Sequence, residues 1–298
     1  MFNQITIIGF GLIGSSIARA VIDKNLAQNI VCVDQDEAVC NHVLALGIAD
    51  EATTDASIGV EGSDLVILCC PVGAMEFVGS RIAGHLKQGA IVTDAGSVKG
   101  RVIEMLQPRL PAHVHLVPAH PISGAEKTGP DAGFAELFIN RWCIITPLPH
   151  TELLAIEKVT KLWEAMGSMV EIMAPDHHDL VLGLTSHLPH LIAYSVVGTA
   201  TDLEDDIKSE VIKFSAGGFR DFTRLAASDP TMWRDVFLNN KPAVLEVLQR
   251  FTEDLTALQK AIRKGDGEYL YRQFTDTKQI RHAIVDAGQS EYLTPLDE

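Results

Sequence analysis

Two regimes of hydrophobic patterning divide the chain. Up to about residue 174, short apolar and β-branched runs alternate with amphipathic stretches. Ile5 to Ile8, Ile30 to Val33, Asp64 to Cys70, Ala90 to Asp94, Val114 to Ala119, Trp142 to Thr146 and Ser168 to Met173 read as strands. Ser15 to Ile22 and Thr151 to Gly167 read as helices between them. Such alternation predicts a mostly parallel sheet with helices packed on it. After Pro175-Asp176 the strand pattern fades and helical periodicity takes over. Val244, Leu248, Phe251, Leu255, Leu258 and Ile262 recur at steps of four and three, which predicts one buried helix face. The expected architecture is an α/β domain over 1–174 followed by an all-α domain over 175–298.

The first strand runs directly into Gly9-Phe10-Gly11-Leu12-Ile13-Gly14, and a helix-compatible run follows. Strand, glycine turn and helix in that order form the phosphate-binding start of a Rossmann domain: Gly9 permits the tight turn, Gly11 admits a pyrophosphate and Gly14 allows close helix packing. The helix N-terminus, with Leu12 and Ile13, offers free N–H groups to the phosphates. The second strand ends in Asp34, twenty residues beyond Gly14, where a carboxylate can accept both ribose hydroxyls. Gln35 and Asp36 follow in place of Arg or Lys, so a 2′-phosphate would meet negative charge. NAD is therefore expected as the cofactor, in preference to NADP.

Ligands of such sheets sit at the carboxyl ends of the strands. Three of these ends carry chemistry: Cys70-Pro71, expected beside the cofactor, the Asp94-Ala95-Gly96-Ser97-Val98-Lys99 turn, and His120-Pro121-Ile122-Ser123-Gly124. His120 is the leading proton acceptor, because imidazole titrates near neutrality and can take an alcohol proton while hydride leaves the same carbon. Ser97 is placed to bond that hydroxyl, to orient His120 or to contact the cofactor, and Lys99 to attract an anion. In the helical half, Arg220 and Arg224 are four apart and share a helix face, an arrangement suited to a dicarboxylate. His187 and His190 lie on an apolar helix. As metal ligands they lack a completing carboxylate or cysteine, so no metal is expected, and a bond to a substrate carboxylate is the functional alternative to a core role.

Charge limits the partners. The formal net charge of −15 repels nucleic acid and anionic membranes, whereas a small anion could bind only where cations gather locally. The stretch 180–201 lacks Asp, Glu, Lys and Arg but holds His187, Pro189 and His190, and reads as a buried helix and not a membrane span. The five cysteines are odd in number and contain no CxxC pair, and no export signal opens the chain, so a reducing cytoplasm is expected.

Taken together, Gly9 to Ser16, Asp94 to Lys99, His120-Pro121 with Gly129, Ser186-His187-Leu188-Pro189-His190, and Gly217-Gly218-Phe219-Arg220-Asp221-Phe222-Thr223-Arg224 continuing to Trp233 resemble the prephenate and arogenate dehydrogenases of tyrosine biosynthesis. The resemblance implies a cyclohexadienol substrate, prephenate or arogenate, oxidised by NAD with loss of carbon dioxide. It implies that His120 bonds the ring hydroxyl with help from Ser97, that Arg224 grips the side-chain carboxylate, and that His190 lies near the ring carboxylate. A homodimer joined through the helical half is also implied. Glu126 near the expected pocket could attract the ammonium group of arogenate or pair with Arg220.

Two other readings remain at this point. A β-hydroxyacid dehydrogenase of the 6-phosphogluconate type shares this architecture but uses a lysine in the second-domain helix, and none occurs between Asp176 and Asp202. A non-catalytic NAD-binding sensor would need the first domain without the pairing of His120 and Arg224.

Overall fold

The computed structural model describes residues 2–124, 127–201, 210 and 213–286. The chain forms two compact units, Met1–Val244 and Leu245–Glu298, so the sequence boundary near 174 falls inside the first. That unit is built on a six-stranded parallel sheet of order β3-β2-β1-β4-β5-β6, from β1 (Phe2–Ile8), β2 (Ala27–Val33), β3 (Glu51–Thr53), β4 (Leu65–Leu68), β5 (Ile91–Asp94) and β6 (His115–Leu116). Helices α1 (Leu12–Asp23), α2 (Glu37–Ala45), α3 (Ala56–Gly59), α4 (Met75–Ile82) and α5 (Gly100–Leu106) connect them. The order reverses between β1 and β4, the switch point at which a doubly wound sheet opens its ligand crevice.

Alternation along the central strands builds two core layers. Ile5, Ile7, Leu65 and Ile67 face one side, with Phe10, Ile17, Val21, Phe138 and Trp163. Ile8, Val66, Leu68 and Val92 face the other, with Met75, Val102 and Leu106. The period of two in side-chain direction therefore sends neighbouring residues of one strand to opposite layers, and both faces are covered, as a parallel sheet requires.

Four features depart from the sequence pattern. The strand β3 is too short and polar, Glu-Ala-Thr, to stand out as a β-branched run. The run Val114 to Ala119 splits: β6 ends the parallel sheet, and Pro118, which has no N–H to donate, begins the passage to a second sheet. There β7 (Ala119–Pro121) pairs antiparallel with β8 (Trp142–Ile145), which runs parallel to β9 (Met169–Ile172) beyond α6 (Leu153–Ala165). The apolar stretch is helical as α7 (Pro175–Leu182), a π-helical turn Gly183–His187 and α8 (Leu188–Thr201). Pro189 cannot donate to the carbonyl a turn earlier, and the widened turn just before it accommodates that loss. By length and composition Pro175–Ala200 could cross a membrane, and only 28% of its most apolar window is buried. Within 180–201 the expected burial holds for Leu182, Gly183, His187 and Leu188, whereas from Leu191 to Ala200 only Ala193 is buried.

Two short elements, α9 (Gly217–Thr223) and α10 (Pro230–Asn239), complete the first unit with the start of α11 (Lys241–Lys264). Among the described residues, the second unit holds the rest of α11 and α12 (Gly267–Asp286). On α11, Val244 and Val247 are buried and Leu248, Phe251 and Leu258 half-buried, but Leu255 and Ile262 are 54% and 67% exposed. The covered face is therefore narrower than the apolar pattern: the row Val244, Phe251, Leu258 keeps its cover, and the row Leu248, Leu255, Ile262 loses it.

Phe138 is fully buried and meets Trp163 edge to face, with ring centroids 5.2 Å apart. Phe138→Ala is expected to cost about 3–5 kcal/mol by urea unfolding, and a loss below about 1 kcal/mol would mean that this corner is not close-packed.

Candidate active site

The glycine loop has the geometry a dinucleotide needs. Gly9 adopts φ +97°, and a Cβ there would lie 2.9 Å from the Cys69 carbonyl. A Cβ at Gly14 would lie 2.0 Å from the Gly9 carbonyl oxygen, so α1 can pack on β1 only without a side chain there. At Gly11 a Cβ would meet none of the described residues within 4 Å apart from its chain neighbours, so the fold itself does not require a glycine there. Leu12 and Ile13, half-buried, open α1. Asp34 lies beyond the end of β2, where its carboxylate accepts from the Phe10 N–H (2.9 Å) and the Asp36 N–H (3.1 Å). The loop and the Asp34 carboxylate are thereby tied together, and these residues fit NAD. Cys70 and Pro71 follow β4, and burial pushes the Cys70 thiol up to about 12, which keeps it neutral.

A buried ion pair organises the next strand end. Lys99 and Asp94 are both 0% exposed, and the Lys99 ammonium contacts the Asp94 carboxylate and donates to the Ala119 carbonyl at 2.7 Å. Asp94 also accepts from the N–H groups of Gly96 (2.9 Å) and Ala119 (3.3 Å). The backbone N–H groups of Lys99 and Gly100 donate to the two oxygens of Asp179 on α7, at 2.8 and 2.9 Å. Lys99 is therefore a structural cation whose charge is spent inside the fold, which corrects the expectation that it attracts an anionic ligand.

His120 sits on β7, 8% exposed, with Nδ1 2.8 Å from Nε2 of His178. His178 in turn holds Asp179 through Nδ1 at 2.8 Å. Burial, reinforced by His178 and the Lys99 charge, keeps His120 well below the ordinary imidazole value, so its resting form is neutral. Ser97, half-buried on its turn, makes no side-chain hydrogen bond to His120 among the described residues; the ring is bonded instead to His178, which the sequence pattern did not pair with it.

The histidines of the helical stretch separate by environment. His187 is fully buried and bonded to the Asn240 amide at 3.0 Å, and burial pushes it down to about 4. The same amide nitrogen reaches the Asp179 carbonyl at 2.8 Å, so Asn240 braces this helix. His190 lies further out, its Nδ1 donating to the Ser186 carbonyl at 2.9 Å and its ring stacked on Trp233 with centroids 3.6 Å apart. Burial first and the Arg224 charge second lower His190, so Arg224 is close enough to act on it electrostatically. Arg220 and Arg224, both exposed, line one open depression with Gly217, Asp221 and Thr223. Glu126 lies outside the described residues. Three positions that sequence reasoning did not assign hold the site: Asp179, Asn240 and Trp233. Asp179 was the legible one, a carboxylate beside His178 at the head of an apolar helix. Asn240, at the end of α10, gives no such signal.

Comparison with known proteins bears on both halves. The model of the "Prephenate dehydrogenase, nucleotide-binding domain" family matches residues 17–172, and that of the "Prephenate dehydrogenase, dimerization domain" family matches 174–276. The cyclohexadienyl dehydrogenase of Zymomonas mobilis is 45% identical over 95% of this chain and 97% of its own length. The prephenate dehydrogenase of A. aeolicus, crystallised with hydroxyphenyl propionate and NAD+, is 33% identical and superimposes with a TM-score of 0.89 over 95% of this chain and 99% of its own. The arogenate dehydrogenase of Synechocystis is 25% identical with a TM-score of 0.80, over 94% of this chain and 99% of its own.

The two glycines give opposite expectations. Gly11→Ala should leave the melting temperature essentially unchanged and weaken NAD binding by calorimetry, since its Cβ meets only the ligand space. Gly14→Ala should destabilise by about 1–3 kcal/mol, a fall of several degrees in Tm. The reverse pattern would contradict the assignment of the loop.

Proposed function

Because this chain belongs to the prephenate dehydrogenase family, matched across both halves, we propose that it carries out the NAD-dependent oxidative decarboxylation of prephenate, arogenate or both, a step of tyrosine biosynthesis. The observation that carries the reading is His120: a buried neutral imidazole at the carboxyl edge of the Rossmann half, with one ring nitrogen spent on His178 and the other unspent among the described residues. The glycine loop and Asp34 would hold NAD, which when bound accepts the hydride from the ring carbinol carbon.

His120 accepts the ring hydroxyl proton as that carbon is oxidised, and returns it to the phenolate oxygen once the ring carboxylate has left as carbon dioxide. The proton is thus recycled, the electron pair of the broken C–C bond aromatises the ring, and the reaction is driven forward. Ser97, its hydroxyl not engaged by His120, is available to the same substrate oxygen. Arg224 takes the side-chain carboxylate, with Arg220 on the same depression, and His190 faces the ring carboxylate. These two guanidiniums supply the local positive charge that a dianion needs against a net charge of −15. A homodimer through the helical half is supported by the apolar residues that α12 exposes, Tyr271 (74%), Phe274 (56%) and Ile280 (61%), which a second copy would cover.

The test is initial-rate NADH formation with prephenate and with arogenate, each with NAD and NADP. Turnover with at least one substrate and a preference for NAD is expected, and silence with both would overturn the reading. His120→Asn should lower kcat by about a hundredfold or more, and near-normal turnover would remove His120 from its role. Arg224→Ala should raise KM more than it lowers kcat, and an unchanged KM would contradict its grip on the carboxylate.

A further inference from the structure

Three buried groups stand in line behind the reactive nitrogen. Asp179 is 9% exposed, His178 fully buried and His120 8% exposed. Donor and acceptor chemistry decides where each proton sits. Asp179 accepts the N–H groups of Lys99 at 2.8 Å and Gly100 at 2.9 Å. Against the upward push of burial, the bonds from His178 and from these two N–H groups hold the Asp179 carboxyl below its ordinary value, so it is a carboxylate with no proton to give. The 2.8 Å contact between its Oδ1 and His178 Nδ1 therefore requires Nδ1–H on His178. His178, neutral because burial lowers it, is left with a lone pair on Nε2. That nitrogen lies 2.8 Å from His120 Nδ1, so His120 must be the donor there.

We propose that His178 and Asp179 are a positioning pair that locks His120 in the tautomer with the proton on Nδ1 and the lone pair on Nε2. The proposal rests on the reading of His120 as the proton acceptor, and it states why that histidine is a base at the right atom: free imidazole carries its proton on either nitrogen, and the wrong choice would present an N–H to the substrate hydroxyl. The arrangement uses the logic by which a buried carboxylate fixes a catalytic histidine, with a second imidazole interposed. The interposed ring lets a carboxylate on α7, anchored to the turn after β5, act on a strand of the second sheet. When His120 takes up the substrate proton, the same line of hydrogen bonds points the lone pair of His178, and behind it the negative charge of Asp179, at the new imidazolium.

Nitrogen-15 NMR of the full chain with labelled histidine, assigned by the loss of one pair of signals in His120→Asn, reads the tautomer directly. His120 is expected as Nδ1–H with an unprotonated Nε2 at neutral pH, and an Nε2–H tautomer would overturn the proposal. His178→Leu, which removes the acceptor, should lower kcat roughly a hundredfold while KM changes less than about threefold. His178→Gln, whose amide oxygen can reach the place of Nε2 and accept from His120, should restore at least about tenfold of that loss. A His178→Leu enzyme with kcat within about threefold of the parent, or a glutamine variant no better than leucine, would contradict the pair. Should the unaltered protein be silent with both substrates, the functional reading fails while the NMR result still decides the tautomer.

Discussion

The rest of the site depends on one buried cation. Lys99 carries its charge into a position with no solvent exposure, where it meets Asp94 and the Ala119 carbonyl, while its own N–H binds Asp179. One residue thus joins the end of β5, the start of β7 and the first turns of α7, the elements that carry Asp94, His120 and His178. Desolvating an ion pair brings little net stability, but removing one partner leaves an uncompensated charge at a cost of about 3–5 kcal/mol. Such a pair is expensive to break and hence good at fixing register. Here it ties the strand that bears His120 to the helix that bears His178.

Around that anchor the fold keeps its histidines neutral by withholding water. His120, His178 and His187 all lie below the ordinary imidazole value, with burial the largest cause in each case. The positive charge that the proposed reaction would use for its anionic substrate stands outside, on Arg220 and Arg224, in an open depression. The separation suits the proposed reaction. A base must be uncharged to accept a proton, and a carboxylate clamp must be charged to hold an anion against the negative field of the whole chain.

Much of this was legible in the residue pattern because periodicity and glycine geometry are local. The first strand, the glycine turn and Asp34 declare themselves within thirty-four residues, and the structure explains each glycine by a contact or its absence. His120 was picked out as following a strand of the parallel sheet, whereas it is the middle residue of β7 in the second sheet. Lys99 was misread, since its charge suggested an anion and nothing local announced that Asp94, five residues earlier, would neutralise it out of reach of solvent. Asp179 beside His178 was visible as a pair, but the bonds that give His178, Asp179 and Asn240 their places were not, because those partners lie 53 to 80 residues away and such pairings follow from topology. The run Val114 to Ala119 divides between two sheets at Pro118, which has no N–H to continue the ladder.

The central claim is that burial makes His120 a neutral base, and the pH dependence of kcat/KM tests it most directly, because that ratio reports ionisations of the free enzyme. The active form is unprotonated and its pKa is depressed, so activity should persist to lower pH than an ordinary histidine would allow. The account predicts an acid limb below pH 6.5, the value for unperturbed imidazole. An acid limb at or above pH 6.5 that His120→Asn abolishes would contradict it, since the base would then be an ordinary solvated histidine.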